Sequence, residues 1–196
     1  MCKEKSVAIT ITIVLCLWLA LAAVGQNSVV AIGNARINLP GPGPDYVQVT
    51  PPVHVVFEGE RDILTWNRPV LHSNVPESAT VHTPVTDDDV PGTDFDKVYK
   101  RKANAIGFGK KDQFFSMPDA VAYSTVTRDP MIGPPIVHAA AILRVKQKLL
   151  FLYLGAPLPA VEYNGSLEYQ EAVLSLTKYV QKTMQQWVEA ILSANE

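Results

Sequence analysis

Val7 to Val24 is an unbroken apolar run of eighteen residues, relieved only by Thr10 and Thr12. Lys3 and Lys5 precede it, and no Lys or Arg follows until Arg36. Ala23-Val24-Gly25 then offers the small residues a signal peptidase reads, so that Gln26 would open the mature chain. A basic start, an apolar middle and a small-residue end make up a secretory signal. The run is longer than the roughly 7–15 residues of an ordinary signal core. It also reaches the low edge of the roughly 17–25 that span a bilayer. Two forms therefore fit residues 1–25, a cleaved signal peptide or an uncleaved N-terminal anchor. Both give one topology, because the lysines stay on the cytoplasmic side and the rest of the chain crosses. A lipid-modified cysteine is disfavoured, since Cys16 follows the bulky Leu15.

That topology changes how the composition is read. Both cysteines, Cys2 and Cys16, lie in the export segment. The exported part thus has no disulfide although its compartment permits one, and it has no thiol nucleophile and no Cys-ligated zinc. The chain carries a formal charge of −2, so it lacks the basic excess that neutralises phosphates, and nucleic-acid binding is excluded as its main business. Residues 49–196 are of a size that buries one core without staples. Residues 26–48 read as a strand at Val29–Ile32 and a Pro/Gly-rich linker through Pro40-Gly41-Pro42-Gly43-Pro44, a tract unable to form a helix or an inner strand. If the anchor is uncleaved, that tract would also space the domain from the membrane.

Along the domain, Val53–Phe57 and Asp62–Asn67 are β-rich and flank Glu58-Gly59-Glu60-Arg61, which predicts a hairpin with a four-residue loop. Leu64 and Trp66 alternate with Ile63, Thr65 and Asn67 and belong on the core face. Residues 69–93, with five prolines or glycines among them, read as a long loop, functional flap or otherwise, with an edge strand at Thr80–Val85. Thr93 as N-cap, Asp94 and Asp96 behind it and Phe95, Val98 and Tyr99 at helical spacing predict a middle helix ending near Asn104. Val121–Thr127 is a strand. Val137–Val145 and Leu149–Leu154 form a hairpin across Lys146-Gln147-Lys148, and the second run, apolar on both faces, belongs at the centre of a sheet. From Leu167 to about Ala194, Val173, Leu176, Val180, Met184, Trp187, Val188 and Ile191 keep a 3.6-residue period after the start signal Asn164-Gly165-Ser166. The fold class is α+β: an antiparallel β-sheet packed against a long C-terminal helix and a shorter middle helix, after an N-terminal signal or anchor helix.

The residues that carry chemistry are sparse. His54, His72, His82 and His138 have no mutual spacing that makes a zinc site. Asp87-Asp88-Asp89 with Asp94 and Asp96 is the densest acidic cluster, but in calcium-loop register Pro91 and Val98 fall where ligands are required. Gly107-Phe108-Gly109-Lys110-Lys111 lacks a third glycine and follows a helix, so it is a helix end rather than a phosphate loop. No G-x-S-x-G and no H-E-x-x-H is present. Asn164-Gly165-Ser166 has the form of a glycosylation acceptor, and a turn with a helix cap accounts for the same residues.

Three segments carry a resemblance: Arg36-Ile37-Asn38-Leu39-Pro40, the hairpin from His138 to Leu154, and Gln186-Trp187-Val188-Glu189-Ala190-Ile191-Leu192-Ser193-Ala194-Asn195. Together they are similar to small exported bacterial proteins without an assigned activity. Their layout resembles the PsbP type of extrinsic photosystem protein, which implies a binding and assembly fold and brings no catalytic residue with it. The expectation is an exported, non-catalytic domain that binds an unknown protein or small ligand, attached to the membrane through residues 7–24 if these are retained. No catalytic residue and no cofactor is expected, and the metal ligands, if any, are open. The alternatives are a metal-assisted hydrolase built from His72, His82 and the acidic loop, and an anchored structural envelope protein.

Overall fold

The computed structural model describes residues 27–49, 56–57, 60–71, 73, 75–84, 113–127, 135–158 and 166–196. The expected signal or anchor and the middle helix lie outside these residues. What is described is an α+β fold. Strands β1 (Ser28–Ile32) and β2 (Ala35–Leu39) form a hairpin. The main sheet takes β3 (Val47–Gln48), β4 (Val56–Phe57), β5 (Glu60–Arg68), β6 (Glu77–Pro84), β7 (Gln113–Met117), β8 (Ala120–Thr127), β9 (Ile136–Val145) and β10 (Lys148–Pro157), and one helix, α1 (Leu167–Ser193), follows. The sheet is antiparallel throughout, in the order β3-β5-β6-β10-β9-β8-β7, with β4 also paired to β5.

The period-2 pattern decides which side chains meet the helix. Val137, Ala139, Ala141 and Leu143 of β9 and Leu150, Leu152 and Leu154 of β10 share one buried cluster with Val180, Met184, Trp187, Val188 and Ile191 of α1. The alternate residues Ala140, Ile142, Leu149 and Phe151, with Val121 and Tyr123, form a second cluster on the opposite face. The centre of the sheet is thus buried on both faces, as the doubly apolar Leu149–Leu154 run requires. Leu64 and Trp66 are buried in the main cluster as expected. A bulge between Asp62 and Leu64 adds an extra residue there and lets Ile63 join them.

α1 begins where Ser166 accepts a hydrogen bond from the Tyr169 amide at 3.2 Å, a side-chain N-cap. Its last turn holds no basic residue. The exposed carbonyl groups are met instead by amides: Asn195 Nδ2 donates to Ile191 O at 2.8 Å and Asn38 Nδ2 to Ala194 O at 2.8 Å.

Four expectations need correction. Thr80–Val85 is not an edge strand: β6 runs from Glu77 to Pro84 and lies between β5 and β10. Its core face is Glu77, Ala79, Val81 and Thr83, so a carboxylate and a hydroxyl interrupt what would otherwise read as an inner strand. The β9–β10 connection is the two residues Lys146-Gln147, both at positive φ (48° and 65°), which is the left-handed geometry of a tight hairpin turn without the usual Asn-Gly. The β4–β5 loop is shorter than four residues, because Phe57 pairs directly with Glu60. Finally, the strand expected at Val29–Ile32 is present within β1, but the Pro/Gly tract after it is not a free linker. Ile32, Ile37, Leu39 and Tyr46 lie in the main core cluster, and the Pro/Gly tract folds over Trp66 instead of spacing the domain from anything. Gly41 makes that possible: a Cβ there would stand 3.1 Å from Trp66 Nε1. Trp187 Nε1 donates to Pro40 O at 2.8 Å and its ring meets Trp66 edge-on at 5.7 Å, which ties the tract to α1.

Candidate binding surface

One end of the β5–β6 hairpin is built around a buried carboxylate. Arg68 and Glu77 are register partners at the last pair of the two strands. The Glu77 side chain is 1% exposed and that of Arg68 29%. Arg68 Nε donates to Glu77 Oε2 at 3.0 Å, and Arg68 Nη2 donates to the same oxygen. The other oxygen, Oε1, accepts from the Tyr46 hydroxyl and, at 3.2 Å, from that of Tyr179. The guanidinium lies over both phenol rings, 5.6 Å from the Tyr46 centroid and 5.0 Å from that of Tyr179. Burial, and next the hydrogen bond to Glu77, hold the Tyr46 phenol far above the ordinary tyrosine range. Burial works to lower Arg68, but the hydrogen bond and charge of Glu77 outweigh it and keep the guanidinium above its ordinary value. Both carboxylate oxygens are therefore engaged. The cluster joins the segment after β2, the β5–β6 hairpin and α1, and its chemistry is that of a strut rather than of an acid or base.

Beyond the strut, the β5–β6 connection and β3 enclose a shallow cavity of about 400 Å³ lined by Val47, Val49, Asn67, Pro69, Val70, Ser73 and Pro76. None of these side chains titrates. The connection is held in shape from within: Ser73 N donates to Val70 O at 3.1 Å, Val75 N to Ser73 Oγ at 3.1 Å, and Ser73 Oγ to Val75 O at 2.9 Å. Apolar side chains stand out around it, with Leu71 78%, Val47 60% and Val75 39% exposed. The start of β1 meets the other face of β3, where Ser28 Oγ donates to Gln48 Oε1 at 3.0 Å, and Val29 beside it is 64% exposed.

The residues singled out for chemistry do not gather. His54, His72, Asp87, Asp88, Asp89, Asp94, Asp96, the Gly107–Lys111 stretch and Asn164 lie outside the described residues. His82 stands on the face of the sheet away from α1, its ring edge-on to Tyr153 at 4.8 Å. His138 is on the same face of β9, beside Gly155, and burial pushes its imidazole below the ordinary value. On β10 the partner of His82 is Phe151 and that of His138 is Gly155. The register thus sets the two histidines about 13 Å apart along the sheet and about 10 Å across it. Among the described residues no three His, Cys, Asp or Glu side chains are placed to hold a metal ion.

The strut and the cavity were not expected from the sequence. An Arg and a Glu at the two ends of one loop, with a proline just inside each, were the available signal. Two of the segments that carried the family resemblance do meet in space. Asn38 N donates to Asn195 Oδ1 at 2.9 Å and Asn195 Nδ2 donates back to Asn38 O at 2.7 Å, so the side chain pairs with β2 as another strand would.

No family model matches the chain, and no curated protein matches it. Among solved structures, the Saccharomyces cerevisiae Ran-binding protein Mog1p aligns at 11% identity over 87% of this chain and 94% of its own, with a TM-score of 0.45. A likeness at that level assigns neither a family nor a function.

Proposed function

We propose that the protein is an exported, non-catalytic binding or assembly domain that works at the outer face of the cytoplasmic membrane. The observation that carries this reading is the character of the cavity between β3 and the β5–β6 connection. Its described lining is mostly apolar, none of those described side chains titrates, and it adjoins a strut whose carboxylate is already engaged. Such a lining recognises by shape and burial. The apolar segment at residues 7–24 supports the location, and the resemblance to small exported proteins of the PsbP type supports the binding role. The hydrolase alternative would need His72 and the acidic loop, which lie outside the described residues, and nothing among the described residues favours it.

The purified full chain, assayed against ester, phosphate and peptide substrates, is expected to turn over none of them. A rate that disappears on replacing one residue, with the fold intact by circular dichroism, would overturn the proposal. In cells, chemical cross-links made from a photoreactive residue at position 71 are expected to be lost in Val47→Asp. Cross-links unaffected by that change would place the binding surface elsewhere.

A further inference from the structure

The cavity opens onto a second feature of the same sheet face. Across the strands from Val47 of β3, the successive register partners are Asn67, Ser78, Gly155, His138 and Thr125. Asn67 also lines the cavity. The residues next to them in sequence, Trp66, Ala79, Leu154 and Ala139, share the core cluster with α1, and Ser124 is held by Gln181 of α1. Alternation therefore turns the row to the opposite face. From Asn67 to Thr125 it crosses four strand spacings, about 19 Å. All five positions are partly exposed.

Among the described residues the four polar side chains of this row have no hydrogen-bond partner. The strands that carry them are paired on both sides, so their backbone groups are engaged and the row offers side chains alone. These are one amide, two hydroxyls and one imidazole. Burial holds the His138 imidazole below its ordinary value, so it is neutral at pH 7. Each of the four groups can then both donate and accept. The next row on the same face includes Thr65, Thr80 and Tyr153, which add two hydroxyls and a partly exposed aromatic ring. A surface turned to water alone mixes charges of both signs. These eight partly exposed positions carry no Asp, Glu, Lys or Arg.

An anion would need a cation in the row, and a cation would need a carboxylate. An extended peptide needs a free strand edge for its main chain. A sugar hydroxyl donates and accepts at once, as each group of the row does, and the C–H face of a sugar ring packs on an aromatic ring such as that of Tyr153. We infer that the row from Asn67 to Thr125 is a binding strip for a neutral glycan laid across the strands, its Asn67 end opening into the cavity. This deepens the binding reading above, on which it rests, and depends neither on export nor on an anchor.

The test titrates soluble neutral oligomers of glucose and of N-acetylglucosamine into the isotope-labelled full chain and follows its backbone amides by NMR. Saturable shifts are expected at Asn67, Ser78, Gly155, His138 and Thr125, and none at Ser116, which is exposed on β7 at the far edge of the sheet. Ser78→Ala and Thr125→Val each remove one hydroxyl from a partly exposed position. Each is expected to weaken binding several-fold with the melting temperature unchanged, whereas Ser116→Ala leaves binding as it was. Shifts confined to other parts of the chain, or an affinity indifferent to both substitutions, overturn the strip. The absence of any saturable shift at millimolar glycan also overturns it. Cross-links from position 71 that are still lost in Val47→Asp then leave the binding reading standing without the strip. A neutral unstructured peptide that shifts the row where the glycans do not overturns the glycan and assigns the row to a protein.

Discussion

Replacing Arg68 by Met leaves the Glu77 carboxylate buried with two tyrosine hydroxyls and no positive charge. Removing one partner of a fully buried ion pair costs about 3–5 kcal/mol, because the other charge stays desolvated and unpaired. Here the Glu77 side chain is 1% exposed but that of Arg68 is 29% exposed, so water reaches part of the vacated space. The expected loss is therefore at the lower end, about 2–3 kcal/mol. In a domain of this size that lowers the melting temperature by about 4–12 °C. Urea denaturation at pH 7 measures it, with the midpoint moving and the slope unchanged if the native fold persists. A second arm isolates the cause. In Arg68→Met with Glu77→Met the stranded charge is gone, but the Tyr46 hydroxyl loses its acceptor, a penalty of about 1–3 kcal/mol. Adding Tyr46→Phe removes that too, and the triple variant is expected to return to within about 1 kcal/mol of the wild type, since well-packed apolar groups often match a buried pair. Arg68→Met within about 1 kcal/mol of the wild type, or a triple variant no more stable than the single one, would refute the view that Glu77 is a strut satisfied mainly by Arg68.

Asn195→Ala removes the three side-chain hydrogen bonds that pair the end of α1 with β2 and cap Ile191 O. It is expected to cost about 1–3 kcal/mol and to speed hydrogen exchange at the Asn38 amide first. Gln147→Gly relieves a left-handed residue at φ 65° and is expected to stabilise the domain by about 1 kcal/mol in thermal melts. Tyr46→Phe alters the alkaline limb. The folded phenol keeps its proton above the ordinary tyrosine pKa while the unfolded one loses it, so wild-type stability is intact below about pH 10 and falls above it by up to about 1.4 kcal/mol per pH unit. The variant lacks that share of the fall in urea titrations between about pH 9 and 11.

Much of the fold was legible wherever one period dominated. The seven apolar positions from Val173 to Ile191 predicted α1 to within a residue of its end, and the doubly apolar run of β10 predicted its central place. The misses have a common cause. β6 alternates correctly, but two of its four core positions are Glu77 and Thr83, which hydropathy counts as surface. Glu77 is at home there only because Tyr46, Arg68 and Tyr179 supply donors from 31, 9 and 102 residues away, and no local pattern contains that information. The β1–β2 hairpin did have a local mark, Gly33-Asn34 between two alternating runs, with Gly33 at φ 57°. The Pro/Gly tract concealed it by reading as a linker. The cavity depends on the same distant contacts, since the strut fixes the loop that walls it, so the surface offered for binding could not be read before the fold.

The central claim is that everything after Val24 lies outside the cytoplasmic membrane. Its most direct test is labelling of Ser116→Cys, in the chain lacking Cys2 and Cys16, by a membrane-impermeant maleimide in cells whose outer barrier alone has been opened. The account predicts full labelling before the cytoplasmic membrane is broken. Labelling that occurs only after lysis would place the domain in the cytoplasm and contradict it.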